Sequence, residues 1–275
     1  MENNPTASLQ NVTFRYPETE RDVFSGLDLT LPRGVLSFVG QNGTGKSTLL
    51  LLIGGRVLPQ TGTVTLLDKD TKELQHTDET EKNRYASFVY QNMEFETEEP
   101  IGDLIDYVYE NGFYDTFDPD FKKELIEVLE LESFLNKKTQ EISKGQLQRT
   151  IIAFSLLYGS KTILMDEPVF ALEDYQKERV MEFLTEYARE YDIPVLYSAH
   201  ELDLTKKYSD YIVLFYKDGT MSVGTTEELY KSDIIEKVYE TPFSMLKLKE
   251  SMFRSDLLTI SKAARNELDD QDVNK

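Results

Sequence analysis

One octapeptide constrains this chain more than any other segment: residues 40–47 read Gly-Gln-Asn-Gly-Thr-Gly-Lys-Ser and match the pattern G-x-x-x-x-G-K-[ST]. A short apolar run, Val35 to Val39, precedes it, and a Leu-rich stretch from Lys46 to Val57 follows it. This order predicts a buried strand, a glycine-rich loop and a helix. Backbone N–H groups of such a loop and the positive end of the helix dipole bind phosphate oxygens. The alternative, a merely flexible glycine loop, does not explain the strand and helix around it.

The phosphate loop also predicts roles for side chains. Lys46 is expected to reach the β- and γ-phosphates, and Ser47 to coordinate Mg²⁺. The predicted nucleotide-binding residues of this segment are Gly40, Gln41, Asn42, Gly43, Thr44, Gly45, Lys46, Ser47 and Thr48. Kinases, GTPases and many ATPases share such a loop, so the reaction has to be inferred from other motifs.

Apolar runs along the chain predict an α/β fold, a P-loop NTPase with a mainly parallel sheet as its core. Near the N-terminus, alternating apolar residues predict an antiparallel β subdomain. Its strands are expected at Leu9 to Arg15, Leu27 to Leu31 and Thr63 to Leu67. Later runs separated by helical stretches predict the parallel strands. These runs are Ala86 to Tyr90, Thr162 to Met165, Val195 to Ser198 and Ile212 to Phe215.

A helical subdomain is predicted within this fold, at about residues 92–158, because Gln91 to Ser143 holds no convincing strand. Helical spacing marks Ile101 to Glu110 and Phe121 to Glu130, the latter after the start signal Asp118-Pro119. The nucleotide-binding domain is expected to span residues 1–235. Residues 236–275 are then a helical C-terminal extension, whose acidic end from residue 266 is predicted to be disordered.

The net charge of the chain limits the kinds of partner it can bind. The chain has 30 basic and 50 acidic side chains, a formal net charge of −20, which repels polyphosphate backbones, so nucleic acid is not expected as a partner. The longest apolar runs, Leu49 to Ile53 and Ile151 to Tyr158, are far shorter than the roughly 20 residues of a membrane-spanning helix. Residues 1–10 lack the features of a secretory signal, and a cytoplasmic location is expected. The absence of cysteine excludes disulfides and thiolate chemistry.

Two adjacent carboxylates follow the predicted strand that begins at Thr162. Asp166 is expected to hold Mg²⁺ and Glu167 to polarise an attacking water. The alternative for the tripeptide Asp-Glu-Pro is a polar turn that closes a strand, and a phosphate loop in the same chain argues against it. Ser143-Lys-Gly-Gln146 precedes another helical stretch, where it is either an ordinary N-cap or an anion-binding helix start.

The order of the phosphate loop, Gln91, Ser143 to Gln146, Asp166-Glu167 and His200 closely resembles the nucleotide-binding domain of ABC ATPases. The resemblance extends from about Leu9 to Gly224. It implies that Tyr16 stacks on adenine, although a tyrosine on the surface of the sheet is the alternative.

The resemblance also assigns roles to two residues after strands. It implies that Gln91 contacts Mg²⁺ or the attacking water, and that His200 contacts the γ-phosphate. Glutamine is also common as a loop amide, and a lone histidine is often structural. His76, the other histidine, lies in a polar stretch and is expected to be solvated.

The resemblance further implies ATP and Mg²⁺ as ligands and a head-to-tail dimer. In such a dimer, ATP binds between the phosphate loop of one subunit and the signature segment of the other, here Ser143, Lys144, Gly145 and Gln146. Glu167 is the general base toward water, and ATP-driven closure and opening of the dimer is the work stroke. Whether the second ATPase subunit is identical is left open.

A membrane transporter subunit is the expected partner, contacted near Gln91 and the helical subdomain. The chain is then peripheral at the inner face of the cell membrane. Met93 and Phe95 are candidates for part of the contact, with a local packing cluster as the alternative. A soluble ABC ATPase of a non-membrane machine, such as iron–sulfur cluster assembly, is the alternative function. Substrate and direction of transport are open.

Three residues depart from the family pattern. Lys144 stands where glycine is commonest, and we expect its replacement by glycine to change turnover little or not at all. Phe170 and Glu173 stand where the family usually has serine and aspartate. These two substitutions put the cross-dimer contacts of that loop in doubt.

Overall fold

Two β-sheets lie at the centre of the fold in the computed structural model, which describes residues 4–114, 118–248 and 250. The first sheet has the order β2-β1-β4-β5, and its neighbouring strands run antiparallel. Its strands are β1 (Ala7–Phe14), β2 (Phe24–Leu31), β4 (Thr61–Leu66) and β5 (Lys69–Asp70). The predicted antiparallel β subdomain is therefore confirmed.

The second sheet has the order β10-β9-β3-β8-β7-β6, and β10 alone among these strands runs antiparallel to its neighbour. Its strands are β3 (Val35–Gly40), β6 (Ser87–Val89), β7 (Ile163–Asp166), β8 (Val195–Ser198), β9 (Tyr211–Phe215) and β10 (Met221–Thr225). Strands β3, β7 and β8 are buried throughout, as expected for a sheet covered on both faces. This confirms the predicted α/β core.

Helices connect these strands and cover the parallel sheet. They are α1 (Lys46–Ile53), α2 (Thr71–Gln75), α3 (Glu79–Tyr85), α4 (Ile101–Glu110), α5 (Pro119–Val128), α6 (Lys144–Leu157), α7 (Asp174–Glu190), α8 (Leu202–Tyr208), α9 (Thr226–Leu229) and α10 (Ser232–Tyr239). Residues 243–248 are helical as well. Within the described ranges, no helix is both long and apolar enough to cross a membrane.

Helix ends explain the differences from the sequence-based boundaries. Helix α1 ends at Ile53 rather than Val57, because Gly54 caps it and Gly55 adopts a positive φ of 63°. Helix α5 starts where expected, since the Asp118 side chain accepts hydrogen bonds from two N–H groups of its first turn. It ends two residues early, before Glu130, which has a φ of 52°.

The helical subdomain contains α4, α5 and α6. In the described parts of residues 91–143 there is no strand, as predicted. An apolar cluster that includes Ile105, Leu125 and Ile152 joins these helices to the parallel sheet. Helix α10 spans the predicted limit of the nucleotide-binding domain at residue 235, and these domain limits stay predictions. The predicted disordered tail from residue 266 lies outside the described residues.

Candidate functional site

The predicted site residues follow strands that lie side by side. Strands β3, β8, β7 and β6 are parallel neighbours, so their carboxyl ends share one edge of the sheet. The phosphate loop follows β3, His200 follows β8, Asp166 ends β7 and Gln91 follows β6. This edge is where α/β sheets bind ligands. Sheet topology thus brings together motifs that are far apart in sequence.

The phosphate loop leaves the start of α1 free for an anion. Gly45 precedes the helix with a φ of 101°, no side chain caps the helix there, and its first turn has no acidic residue. Gly45 is also required sterically, because a Cβ atom there would lie 2.8 Å from the Phe24 ring. Unpaired N–H groups at a helix N-terminus attract phosphate through hydrogen bonding and the helix dipole. The local geometry therefore fits the predicted role.

Lys46 is held inside the phosphate loop. Its side chain is buried, and Nζ donates hydrogen bonds to the carbonyl oxygens of Gly40 at 2.8 Å and Gln41 at 2.9 Å. Burial lowers the pKa of Lys46, whereas the negative charges of Glu167 and Asp166 oppose that shift. The Lys46 ammonium group therefore contacts the phosphate loop and lies near the carboxylates of Asp166 and Glu167.

Both carboxylate oxygens of Glu167 have partners. His200 Nε2 lies 2.8 Å from Oε1, and Gln91 Nε2 donates to Oε2 at 2.9 Å. Burial alone would raise the pKa of Glu167, but the hydrogen bonds and charge of His200, the charge of Lys46 and the bond from Gln91 together lower it. Three of the predicted catalytic residues therefore form one hydrogen-bonded group, with Glu167 at its centre.

Ser198, at the end of β8, is a site residue that the sequence reasoning missed. Its hydroxyl donates to Oδ1 of Asp166 at 2.5 Å and accepts from the backbone N–H of Glu167 at 3.0 Å. Glu167 has a φ of 51°, a left-handed conformation that is costly for a residue with a side chain. The serine bridge ties the backbone N–H of this strained turn to the Asp166 carboxylate. Since Ser198 faces Asp166 across neighbouring strands, the signal lay in strand register, which the sequence does not show.

Tyr16 lies beside the start of α1. Its hydroxyl is 3.1 Å from Oγ1 of Thr48, and its ring packs edge-on against Phe14 with centroids 4.9 Å apart. The structure therefore brings Tyr16, the phosphate loop, Gln91, Asp166, Glu167 and His200 to one region. Ser47 is exposed in the first turn of α1, at the same place.

The signature segment from Ser143 to Gln146 makes a different set of contacts. Ser143 and Gln146 form a capping box at the start of α6, and Lys144 Nζ pairs with Oε1 of Glu94 at 3.1 Å. A Cβ atom at Gly145 would lie 3.0 Å from the carbonyl oxygen of Ala171. Lys144 lies in the helix α6, so its backbone is not strained and does not require glycine.

Segments flanking the carboxylates show two further features. Phe170 is 40% exposed, and Glu173 forms a capping box at the start of α7.

Lys177 and Glu201 form a buried ion pair, with 2.7 Å between Nζ and Oε1. This pair fixes α7 to the residue after His200. The sequence reasoning missed it, because two charged residues 24 positions apart carry no local sign of pairing.

Several known proteins are similar to this chain in sequence or in fold. The petrobactin import ATP-binding protein FatE of Bacillus anthracis is 29% identical over 234 residues, covering 83% of this chain and 92% of FatE. The energy-coupling factor transporter ATP-binding protein EcfA1 of Geobacillus kaustophilus is 29% identical over 230 residues, covering 82% and 81%.

Among solved structures, the dimeric post-hydrolysis state of the ATP-binding cassette MJ0796, bound to ADP and Pi, shares the fold. Its TM-score is 0.66 at 24% identity, and the match covers 80% of this chain and 98% of that chain. The family model described as ABC transporter matches residues 24–170, more than half of the 275 residues. The chain therefore belongs to the ABC transporter family, as an ATP-binding and ATP-hydrolysing subunit.

Proposed function

We propose that this chain is the motor of a membrane importer, and that it hydrolyses MgATP at the edge of the parallel sheet with Glu167 as the general base. The observation that carries the proposal is the single hydrogen-bonded group of Glu167, His200 and Gln91 beside Lys46. Several relatives are named for import of petrobactin, molybdenum or phosphonates, and these names support the direction.

The donor set fits Mg²⁺ and triphosphate. Asp166 and Ser47 would offer oxygen ligands, which Mg²⁺ prefers, and Gln91 is the third candidate ligand. Nucleotide-bound Mg²⁺ usually takes one or two protein ligands and completes its shell with phosphate oxygens and water. Bound there, Mg²⁺ neutralises phosphate charge.

The residues of this chain divide the remaining work. The N–H groups at the start of α1 and Lys46 hold the phosphates, and Tyr16 supports the adenine. Glu167 is ionised at neutral pH, because its pKa is lowered, so it can accept a proton from water. Each of its oxygens already accepts one hydrogen bond and has a second lone pair that can accept one from the attacking water. Gln91 lies on the loop toward the helical subdomain, and movement of that loop is our proposed trigger.

A second ATPase subunit completes the site in this proposal. Ser143 and Gln146 lie at a helix start, where exposed N–H groups bind anions, and their contacts lie with α6 itself. We assign them to the ATP of a partner subunit in a head-to-tail dimer. Lys144 is 82% exposed in its side chain and is free to leave Glu94 for a phosphate. In this proposal Phe170 and Glu173 lie at the same interface, in place of the serine and aspartate that are usual in the family.

The membrane subunit is assigned to a groove next to Gln91. A cavity of about 440 Å³ lies between the sheet and the helical subdomain, and its lining is mainly apolar. The lining includes Phe88, Tyr90, Met93, Phe95, Leu104 and Tyr107. Tyr107 is 65% exposed, as expected for an aromatic side chain that a partner helix covers. Met93 and Phe95 also pack against the protein core. They therefore belong to a local packing cluster and, in this proposal, also to the contact with the membrane subunit. The chain would then lie at the cytoplasmic face of the membrane.

Replacing the base tests this assignment. We expect Glu167→Gln to abolish turnover while MgATP binding persists, and to shift the protein to a dimer in gel filtration with MgATP. Lys46→Ala is the control and should lose both binding and dimerisation. Unchanged turnover in Glu167→Gln would refute Glu167 as the base. Affinity capture from detergent-solubilised membranes, followed by identification of a polytopic protein, tests the membrane partner.

A further inference from the structure

His200 lies in a short connection that belongs to no helix or strand. Strand β8 ends at Ser198 and helix α8 begins at Leu202, so residues 199–201 lie outside both regular elements. Nε2 of His200 nevertheless lies 2.8 Å from Oε1 of Glu167. A side chain in an irregular connection is held only as well as the groups around it are anchored.

The residue after His200 supplies such an anchor. Oε1 of Glu201 accepts a hydrogen bond from Nζ of Lys177 at 2.7 Å, and the two side chains are 10% and 3% exposed, respectively. Breaking this pair would leave a buried charge without a partner, which is strongly unfavourable. The pair therefore stays closed while the protein is folded.

Lys177 is itself fixed relative to the carboxylates of the site. Its backbone N–H donates to the carbonyl oxygen of Glu173 at 2.9 Å, at the start of α7. The backbone N–H of Phe170 donates to the carbonyl oxygen of Glu167 at 3.3 Å, in the turn that leads to this helix. The turn, the start of α7, the ion pair and His200 thus form a closed ring of contacts, which begins and ends at Glu167.

We propose that Lys177 and Glu201 are positioning residues for ATP hydrolysis, because their ion pair fixes the side of this ring on which His200 lies. His200 then meets Glu167 in one orientation and, in the proposed function, presents the same orientation to the γ-phosphate. The inference rests on the proposed nucleotide site and adds to it two residues that act through His200.

Orientation distinguishes this ion pair from an apolar contact at the same place. A hydrogen bond between charged groups depends on direction as well as on distance, whereas apolar packing is non-directional. Replacing a buried ion pair by apolar residues of similar volume often leaves stability unchanged or higher. An apolar replacement of both residues therefore keeps the fold and removes the orientation.

Replacing both members of the pair tests the inference. In Lys177→Met/Glu201→Leu we expect the urea midpoint to stay close to that of the wild type. Its kcat should be about 10- to 100-fold lower, as for a catalytic group misplaced by about 1 Å. Its Kd and KM for MgATP should stay within about twofold, because Lys46 and the start of α1 hold the phosphates.

A second ion pair between the same helices provides the control. Lys207 of α8 pairs with Glu178 of α7, and these side chains are 57% and 45% exposed. Lys207→Gln/Glu178→Gln removes this pair and leaves the connection at His200 untouched. The control should keep the wild-type kcat and KM.

NMR of the imidazole rings tests the position of His200 without nucleotide. The chain has two histidines, so in a His76→Gln background the remaining imidazole signals belong to His200. We expect the ring 15N and 1H signals of His200 to move in Lys177→Met/Glu201→Leu and to stay in place in Lys207→Gln/Glu178→Gln.

Several results would overturn the inference. They are a wild-type kcat in Lys177→Met/Glu201→Leu, His200 signals that do not move in it, or an equal loss of kcat in the control. A wild-type protein that does not hydrolyse MgATP would instead refute the proposed function, and the NMR experiment would still report the position of His200.

A milder variant covers the case in which the double variant does not fold. Glu201→Gln keeps the size of the side chain and removes its charge, which weakens the hydrogen bond from Lys177. Its kcat should be about threefold lower at an unchanged KM. A wild-type kcat in Glu201→Gln would then overturn the inference.

Discussion

Ser198 offers the sharpest test of how the site is built, because its hydroxyl bonds both the Asp166 carboxylate and the backbone N–H of Glu167. Ser198→Ala removes a donor to the Asp166 carboxylate and an acceptor for the Glu167 N–H. A hydrogen bond to a charged group contributes about 1.5–3 kcal/mol, and leaving a buried donor unpaired adds about 1 kcal/mol or more. We expect the free energy of unfolding to fall by about 3 kcal/mol.

The rate of MgATP hydrolysis by Ser198→Ala should fall together with its unfolding free energy. Without the serine bridge, the left-handed turn at Glu167 loses this hydrogen bond, and the proposed base loses part of what orients it. A loss of about 1.4–2.8 kcal/mol in transition-state stabilisation corresponds to a 10- to 100-fold lower kcat. Urea denaturation and steady-state MgATP hydrolysis measure the two effects separately.

Ser37 is the matched control. It is also a fully buried strand serine, but its hydroxyl pairs with the neutral Thr205 hydroxyl at 2.9 Å. Ser37→Ala should cost about 1 kcal/mol in stability and leave turnover unchanged. If Ser198→Ala and Ser37→Ala lose equal stability, or if Ser198→Ala keeps wild-type turnover, the bridge does not have the role assigned to it.

Three further predictions concern neighbouring groups. The pKa of Glu167 is lowered from its ordinary value of 4.5. The ionised carboxylate therefore stabilises the fold above pH 4.5, and this stability is lost as the pH falls through the folded-state pKa. Between pH 7 and pH 4, the Glu167→Gln variant should lose less unfolding free energy than the wild type. Lys177→Met should cost about 3–5 kcal/mol, because Glu201 stays buried and unpaired, and Glu201→Leu added to it should recover most of that loss in urea melts. Lys144→Gly should hydrolyse MgATP at the wild-type rate or slightly below it, because the lysine side chain is 82% exposed, and water screens the charge that it would offer to a phosphate.

Each of these has a clear contrary result. An identical pH dependence in Glu167→Gln would mean that His200 and Gln91 do not stabilise the carboxylate. A Lys177→Met protein as stable as the wild type would mean that water reaches the pair with Glu201. A large loss of turnover in Lys144→Gly would place the lysine in contact with the reacting phosphates.

Local pattern predicted much of the fold. The β3 strand, the glycine loop and the start of α1 follow one another in sequence, so their order and chemistry are visible without tertiary structure. The Asp118-Pro119 start of α5 was predicted for the same reason. Helix ends were less accurate: α1 was extended to Val57, because apolar periodicity continues past the Gly54-Gly55 break.

The chemistry of this protein was therefore readable from its sequence, since the phosphate loop, the paired carboxylates and the residues after the strands each carry a local signature. Register and packing decided the rest: Ser198 meets Asp166 because β7 and β8 pair in parallel, and Lys177 meets Glu201 across helices. Such contacts depend on the positions of whole elements relative to one another, and the side chains that make them have no distinguishing neighbours along the chain.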